Sequence, residues 1–472
     1  MSDEYDLIIV GMGSAGMTAA EFACSLELRV AVVERGRVGG DCLWTGCVPS
    51  KTLLAAAKTA HTIRHADRHG IGAAEPDIDL HAVWQRIRSV QARVAASDDD
   101  PERYRRLGIR LIYGTARVTG PNEVSVDGSR QLTSRFILLC TGSQPIEPDI
   151  AGLAEVPYLT SENVFEIGRP PSSIVMLGGG PIAIELAQAF TRLRIATTVL
   201  QQGPVILPRD EPILAAILAK VLRDEGVDLH LGASATAVRR DGAEVVVTAT
   251  VAGSGAAAPA EFRAAGVFVA VGRRPNIDGL GLGDLGIDVG DHGITVDDRG
   301  RTTVRTIYAV GDVAGRHLFT HSAGYEAVRA VRDMFFPGKG TVDDFIPWCT
   351  FTDPELAHAG LTSREAEQRF GDDVDVWRLD LEHNDRARAD DATDGAIIIV
   401  TAREKLVGAH ILSPSAGELI HELALAIRHG MKLSDLASLV HVYPTLATSV
   451  GMLAAESAYE KAQRYRWLVK RR

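Results

Sequence analysis

The feature that most restricts what this chain can fold into is a unit that occurs twice: apolar strand, glycine turn, helical stretch, second strand. Residues 6–10, DLIIV, run into Gly11-Met-Gly13-Ser-Ala-Gly16; an alanine-rich stretch follows, and a second apolar run from Arg29 to Val33 ends on Glu34. Residues 174–177, IVML, lead into Gly178-Gly179-Gly180-Pro-Ile-Ala183, then a helical stretch holding Glu185 and a strand near 195–200. In such a unit the glycines permit a tight turn and close approach of backbone to a pyrophosphate, while the helix N-terminus offers N–H groups and a positive field. Two of them predict an α/β chain with two Rossmann-like domains. One would hold a redox dinucleotide tightly and the other would exchange a hydride donor.

The two units differ at the acid that follows them. Glu34 lies 18 residues beyond Gly16 and can accept from both ribose hydroxyls. The second unit ends in Gln201-Gln202, with no acid for a ribose 2′-hydroxyl, and Arg209 is the nearest candidate for a 2′-phosphate. This favours NADPH as donor and leaves NADH open. A further strand, within RTTVRTIYAVGDVAG at 301–315, ends in Gly311-Asp312, where the carboxylate can meet a cofactor's ribityl or phosphate region. Strand-plus-glycine segments at Phe136 to Gly142 and Gly266 to Gly272 mark crossings between domains.

Residues 39–51, GGDCLWTGCVPSK, place Cys42 and Cys47 five apart just after the first unit. On a regular helix that spacing is about 7.5 Å along the axis, beyond the Cα separation of roughly 4.4–6.8 Å that a disulfide tolerates. The pair can therefore close only across an irregular helix start, which Gly39, Gly40 and Gly46 make available, and Pro49 suits a first helical turn. A thiolate at such a start has a lowered pKa.

Composition narrows the function. At 472 residues the chain is long enough for two to four domains, and its formal charge of -11 argues against a nucleic-acid partner. No run of about 18 apolar residues is present, so no membrane span is expected. The N-terminus, MSDEYDLIIVG, lacks the basic and apolar regions of a secretion signal. Five cysteines make no disulfide framework, so a cytoplasmic location is expected, where a dithiol is catalytic rather than structural. No metal-ligand spacing is found; His383-Asn384-Asp385-Arg386 reads as a loop or interface network, and Cys24, Cys140 and Cys349 as ordinary cysteines.

Together these motifs resemble the class I FAD-dependent pyridine nucleotide–disulfide oxidoreductases, which include dihydrolipoamide dehydrogenase, glutathione reductase and mercuric reductase. The resemblance runs from Tyr5 to about Tyr459. It implies an FAD domain in two segments, 1–149 and 270–345, a nicotinamide domain at 150–269, and a C-terminal α+β interface domain at 346–472 that forms a homodimer. The last boundary also carries a turn signal, Pro337-Gly338-Lys339-Gly340. Strands are expected at Val374 to Leu381, Ala396 to Val400 and Lys405 to Ile411, and helices at Glu418 to His429 and Leu446 to Glu460. The implied cofactors are non-covalent FAD and exchanging NADPH or NADH. Their expected contacts are Gly11, Gly13, Gly16, Glu34, Gly40, Lys51, Gly142, Gly178, Gly180, Ala183, Gln201, Gly272, Gly311 and Asp312. The resemblance makes Cys47 the thiol against the flavin, Cys42 the interchange thiol, Lys51 the cation near the flavin N5, and Glu185 its acidic partner.

One departure changes the chemistry. The family's disulfide reductases carry a His-Pro-Thr segment whose histidine, supplied by the partner subunit and oriented by a following glutamate, protonates the leaving thiol. Here the segment is His441-Val-Tyr443-Pro444-Thr445-Leu-Ala-Thr448: the histidine position is Tyr443 and the glutamate position Thr448. Tyrosine titrates near 10 and histidine near 6.5, so Tyr443 is a poor base at neutral pH, and His441 stands two residues away. Lipoamide and glutathione are disfavoured as substrates. Mercuric reductases also lack the histidine, but deliver metal through a C-terminal cysteine pair, whereas no cysteine follows Cys349 here. The expected function is hydride transfer from NAD(P)H through FAD to the Cys42–Cys47 pair, and on to a disulfide, metal ion or small electrophile. The alternatives are a quinone or dye reductase working directly from the flavin, and a redox-sensing or interaction protein that keeps the fold.

Overall fold

The computed structural model describes residues 4–252, 258–338 and 341–469, so Lys339 and Gly340 of the expected boundary turn lie outside the described residues. The first unit forms as its sequence dictates. Strand β1 (Glu4–Val10) enters helix α1 (Ser14–Ser25) through the glycine turn, and β2 (Val30–Glu34), buried at all five positions, returns parallel to it. Helix α2 (Gly40–Trp44) and helix α3 (Cys47–Arg64) follow. β1 and β2 belong to a seven-stranded sheet. β1 pairs in parallel with Arg130–Leu139, and that strand pairs in parallel with Ile307–Ala309 from far along the chain.

The second unit repeats the plan: β3 (Ser173–Leu177), α4 (Pro181–Arg192) and β4 (Ala196–Gln201) lie in a four-stranded parallel sheet with Asp228–Leu231 and Gly266–Val269. Directly after the two strand-plus-glycine segments, Ser143–Pro145 lies antiparallel to Arg273–Pro275. A three-stranded antiparallel sheet, Ala233–Asp241, Glu244–Val251 and Ala258–Ala264, covers the second unit.

The first glycine of each turn does the same work. Gly11 has φ +98°, and a Cβ there would stand 2.4 Å from the Cys140 carbonyl oxygen; Gly178 has φ +112°, and its Cβ would stand 2.3 Å from that of Ala270. Any side chain would separate the strand end from its neighbour. The chain returns to the first unit through Ile307–Ala309 and helix α5 (Thr320–Phe335), whose Ala327 and Ala330 share a core with Ala19 and Ala20 of α1.

The C-terminal region is a five-stranded antiparallel sheet beginning with β5 (Trp348–Thr350) and ordered through Glu355–Gly360, Lys405–Ser413, Ala396–Ala402 and Val374–Asp380. Helices α6 (Ala416–Arg428) and α7 (Thr448–Arg464) cover one face, with Ile420, Leu423, Val450 and Leu453 sharing a core with Ile397 and Ile399. Burying each such side chain is worth about 1.5–3 kcal/mol. The three expected strands and two expected helices form with shifts of a few residues at their ends. The short strands Trp348–Thr350 and Glu355–Gly360 carry no clear periodicity in the sequence.

Candidate active site

Both glycine turns, the dithiol and the Asp312 loop open on one continuous cavity of about 1710 Å³. Its wall includes Gly11, Gly13, Glu34, Gly40, Cys42, Cys47, Lys51, Gly142, Gly178, Gly180, Glu185, Gln201, Gly272, Gly311 and Asp312. Two of the expected cofactor positions do not line it. Gly16 serves packing, since a Cβ there would fall 2.0 Å from the Gly11 oxygen, and Ala183 is wholly buried in α4.

The adenine-side cradle of the first unit fits a dinucleotide. The Glu34 carboxylate is held at the strand end by the Met12 and Gly36 N–H groups, each at 2.6 Å, which leaves its remaining lone pairs available to ribose hydroxyls. Gly13 and Gly40 face each other across the turn, and Gly142 and Gly180 have open space where a Cβ would stand. These are places where a ligand backbone or phosphate can approach. Asp312 accepts from the Ser143 hydroxyl, and burial raises its pKa despite that bond. Arg273, which the sequence reading missed, ties this corner together: its Nε donates to Ser143 Oγ at 2.7 Å, and it also pairs with Asp41. Its only sequence signal is its place directly after Gly272.

On the nicotinamide side, the Gln201 amide packs on Gly179 and donates to the Val205 oxygen at 3.1 Å. Arg209 does not stand free at the strand end; its guanidinium lies over the Trp348 ring, 5.0 Å from the centroid. Arg209 nonetheless lines the cavity.

The dithiol sits at a broken helix. α2 ends at Trp44, Thr45 and Gly46 leave helical geometry, and Cys47 is the first residue of α3. A Cβ at Gly46 would stand 3.0 Å from the Asp41 oxygen, so the break is tight. Both cysteines are thiols and are hydrogen-bonded to each other. That bond raises Cys42, helped by burial and by the charge of Cys47. It lowers Cys47, against burial, with further help from the Thr320 hydroxyl and the Lys51 ammonium. Thr320 Oγ1 is 3.4 Å from Cys47 Sγ, a contact across 273 residues that no local pattern announces. Lys51 Nζ donates to Glu185 Oε2 at 2.9 Å and lies 4.3 Å from the Phe351 ring centroid, while the Phe351 N–H donates to Glu185 Oε1 at 2.8 Å. The expected Lys51–Glu185 partnership is thus present, joined by a residue of the C-terminal region. Cys349, read from sequence as ordinary, also lines the cavity.

Tyr443 is not brought to the thiols within the chain. It is 69% exposed and donates to Asp385 Oδ2 at 2.8 Å, which raises its pKa further. His441 is paired with Glu422 at 3.1 Å, and neither it nor Tyr443 lines the cavity. Asn384, in the polar cluster, is buried and donates to Ser449 Oγ at 2.8 Å and to the Thr445 oxygen at 3.1 Å, fixing the loop that carries Tyr443.

A dithiol between two dinucleotide cradles, with an ion pair at its side, defines a flavin- and nicotinamide-dependent dithiol oxidoreductase. Residues 5–330 match the pyridine nucleotide-disulphide oxidoreductase family and residues 346–454 its dimerisation domain, and the chain belongs to that family. It is 34% identical to a dihydrolipoyl dehydrogenase of Thermus scotoductus over 97% of this chain and 98% of that protein. It is 34% identical to a mercuric reductase of Streptomyces lividans over 95% of each. It superposes on the HOCl-induced flavoprotein disulfide reductase RclA from Escherichia coli with a TM-score of 0.83 and 26% identity, over 96% of this chain and 99% of that one. The protein is an FAD-dependent NAD(P)H oxidoreductase with Cys42–Cys47 as its redox-active pair. Among the described residues no helix is long and apolar enough to cross a membrane.

Proposed function

We propose that the pair relays electrons outward to a small thiol-reactive acceptor: a disulfide, a metal ion or another electrophile. Cys47 takes the inner, flavin-side role and Cys42 the outer, attacking role. The observation that carries this is the placement of the pair: Cys47 is the first residue of α3, 3.4 Å from the Thr320 hydroxyl and one helical turn before Lys51 with its Glu185 partner, and both thiols stand on the wall of a cavity shared by both nucleotide cradles. A helix N-terminus and a neighbouring cation favour the thiolate at Cys47, the thiol that then stays on the inner side of the relay.

FAD fits the first cradle through Glu34, Gly13, Gly40 and Asp312, and NAD(P)H fits the second through Gly178, Gly180 and Gln201. Bound there, FAD supplies the two-electron carrier between nicotinamide and dithiol. Lys51, oriented by Glu185, places a cation beside it and beside Cys47. The domains divide at 149/150, 269/270 and 345/346. In a homodimer the exposed apolar run of Leu439, Val440 and Val442 is covered, and the partner subunit's Tyr443 forms the far wall of the dithiol site. A cytoplasmic compartment suits a pair that must be kept reduced. The copper(II) complex of RclA and the mercuric reductases among the relatives support metal ions as acceptors beside disulfides.

Cys42→Ser tests the route. With bis(2-hydroxyethyl) disulfide or Cu(II) as acceptor and NADPH as donor, turnover is expected to vanish while NADPH still bleaches the bound flavin. Unchanged turnover would place the reaction directly on the flavin, as in a quinone or dye reductase, and refute the relay.

A further inference from the structure

We infer that Gln91 is a positioning residue for the redox pair: its side-chain amide holds open the helix break that lets Cys42 and Cys47 bridge. The inference concerns the pair itself and holds whichever acceptor the pair serves. It starts from what the break leaves unpaired. If α2 ran on as a regular helix, the Leu43 and Trp44 carbonyls would accept from the Cys47 and Val48 N–H groups four residues on. Thr45 and Gly46 leave helical geometry and α3 begins afresh at Cys47, so both carbonyls lose those partners. They are the two acceptors that Gln91 takes. Its Nε2 donates to the Trp44 oxygen at 2.8 Å and to the Leu43 oxygen at 3.1 Å. The two hydrogens of one amide nitrogen thus cap both ends left by the break.

Gln91 reaches them from the helix Leu80–Ala95, where it departs from the pattern of its own face. The buried residues of that helix are Trp84, Ile87 and Gln91, spaced i, i+3 and i+7, so a polar side chain, 6% exposed, occupies an apolar position. A buried amide is stable there only with partners, and the freed carbonyls supply them. The helix is itself fixed. Asp79 caps its start, accepting from the His81 and Ala82 N–H groups. Trp84 Nε1 donates to the Val164 oxygen at 2.9 Å, and its ring lies nearly parallel to Phe190 of α4, at 6.4 Å and 18°. Trp84 and Ile87 also share a core with Leu53, Ala57 and Ala60 of α3. One helix therefore holds both sides of the break. It holds α3, which carries Cys47, through apolar packing, and the end of α2, just after Cys42, through Gln91.

The disulfide needs the break and the dithiol does not. On a regular helix the two residues would stand about 7.5 Å apart along the axis, outside the Cα separation of roughly 4.4–6.8 Å that a disulfide allows. Gln91 therefore acts on the reduced pair: it keeps the thiols in the geometry from which the bond closes and raises the effective concentration of one at the other. Without it, the 43–46 segment can relax in the dithiol form, while in the disulfide form the bond itself holds the segment in place. The balance then moves toward the dithiol. The relaxation recovers part of what two hydrogen bonds contribute, about a tenfold shift in the equilibrium, or about 30 mV for a two-electron couple.

Gln91→Met tests this, since it keeps the length of the side chain and removes both donors. The FAD-loaded enzyme is equilibrated anaerobically in buffers of stepped reduced-to-oxidised dithiothreitol ratio. Free thiols are blocked with iodoacetamide, and the fraction of Cys42–Cys47 disulfide is read by peptide mass spectrometry. The exchange balances: dithiothreitol closes to its cyclic disulfide as the Cys42–Cys47 bond breaks and each sulfur gains a hydrogen. In Gln91→Met the pair is expected to be half reduced at a ratio about tenfold lower, its midpoint raised by about 30 mV. Trp84→Phe loses the Val164 hydrogen bond on the same helix but leaves both carbonyls capped; it is expected to lower the melting temperature and keep the wild-type midpoint. Gln91→Asn, whose amide falls one methylene short, is expected to raise the midpoint as well, and decides the matter if Gln91→Met does not take up FAD. An unmoved or lowered midpoint in the Gln91 variants, or an equal shift in Trp84→Phe, would overturn the assignment. Failure of the relay itself shows separately, as acceptor turnover that survives Cys42→Ser.

Discussion

Lys51→Met isolates what the cation does to the inner thiol. Lys51 follows Cys47 by one helical turn on α3, so the two side chains share a face, with Cβ atoms about 5–6 Å apart. At a charge separation of about 6 Å and an effective dielectric of about 20, the attraction between thiolate and ammonium is about 2.8 kcal/mol, or about two pKa units. Two features of the structure reduce it. The Lys51 side chain is 38% exposed, so solvent screens it, and the Glu185 carboxylate 2.9 Å from its nitrogen acts on Cys47 in the opposite sense. A net effect of about one unit remains. Methionine keeps the apolar stem against Phe351 and removes only the charge, so the Cys47 pKa should rise by about one unit. Glu185→Gln should lower it by less, because the Glu185 charge acts on Cys47 more weakly than the Lys51 charge and the amide oxygen can still accept from the Phe351 N–H. The assay is the pH dependence of the long-wavelength absorbance of the two-electron-reduced enzyme, which reports thiolate beside flavin. An unmoved midpoint in Lys51→Met, or one that moves down, would refute the electrostatic account of this pair.

Two further outcomes concern stability. Arg192, 5% exposed at its side chain, holds Glu225 at 2.6 Å and Asp353 at 2.9 Å, joining the nicotinamide half to the C-terminal region; Arg192→Met leaves Glu225 with only the Gln188 amide and Asp353 with only Lys58, and should cost about 3 kcal/mol, read as a lower melting temperature of the FAD-loaded protein. Burial pushes the Asp210 carboxyl up to about 6, so its contribution to stability is largest when protonated, below about pH 4, and is lost as pH rises through 6. Asp210→Asn keeps an acceptor for Trp348 and should stabilise the protein by on the order of 2–3 kcal/mol at pH 8, with the gain vanishing near pH 4; a gain that is independent of pH would show that the charge is not its source.

The parts of the site legible in the sequence are those whose chemistry is local. The turns at Gly11 and Gly178 show as spaced glycines, although the carbonyl oxygens that exclude a side chain there belong to the distant Cys140 and Ala270; Glu34 closes its own strand, and Cys42 and Cys47 announce a broken helix by their spacing. What stayed hidden arrives through topology. Thr320 reaches Cys47 because Ile307–Ala309 joins the first sheet beside Arg130–Leu139 and sets the start of α5 beside the inner thiol. Arg209 shows the same limit from the other side. Along the chain it is the first cation after Gln201-Gln202, and nothing there shows that its guanidinium lies over Trp348, 139 residues later.

That division bears on how the relay acquires its direction. A regular helix through 42–47 would hold the cysteines too far apart to bridge and would give neither of them a helix terminus. The break at Thr45-Gly46 does both things at once: it brings Cys42 back beside Cys47, and it makes Cys47 the first residue of α3, where the positive end of a helix favours a thiolate. The inner thiol is therefore set to remain ionised and the outer one to hold the proton before any distant residue is considered. The outward step must then remove that proton, and the local sequence offers no base for it. The polarity of the dithiol is written within a few residues of itself, while its rate with an acceptor depends on what the fold and, in a homodimer, a second copy of the chain bring to it.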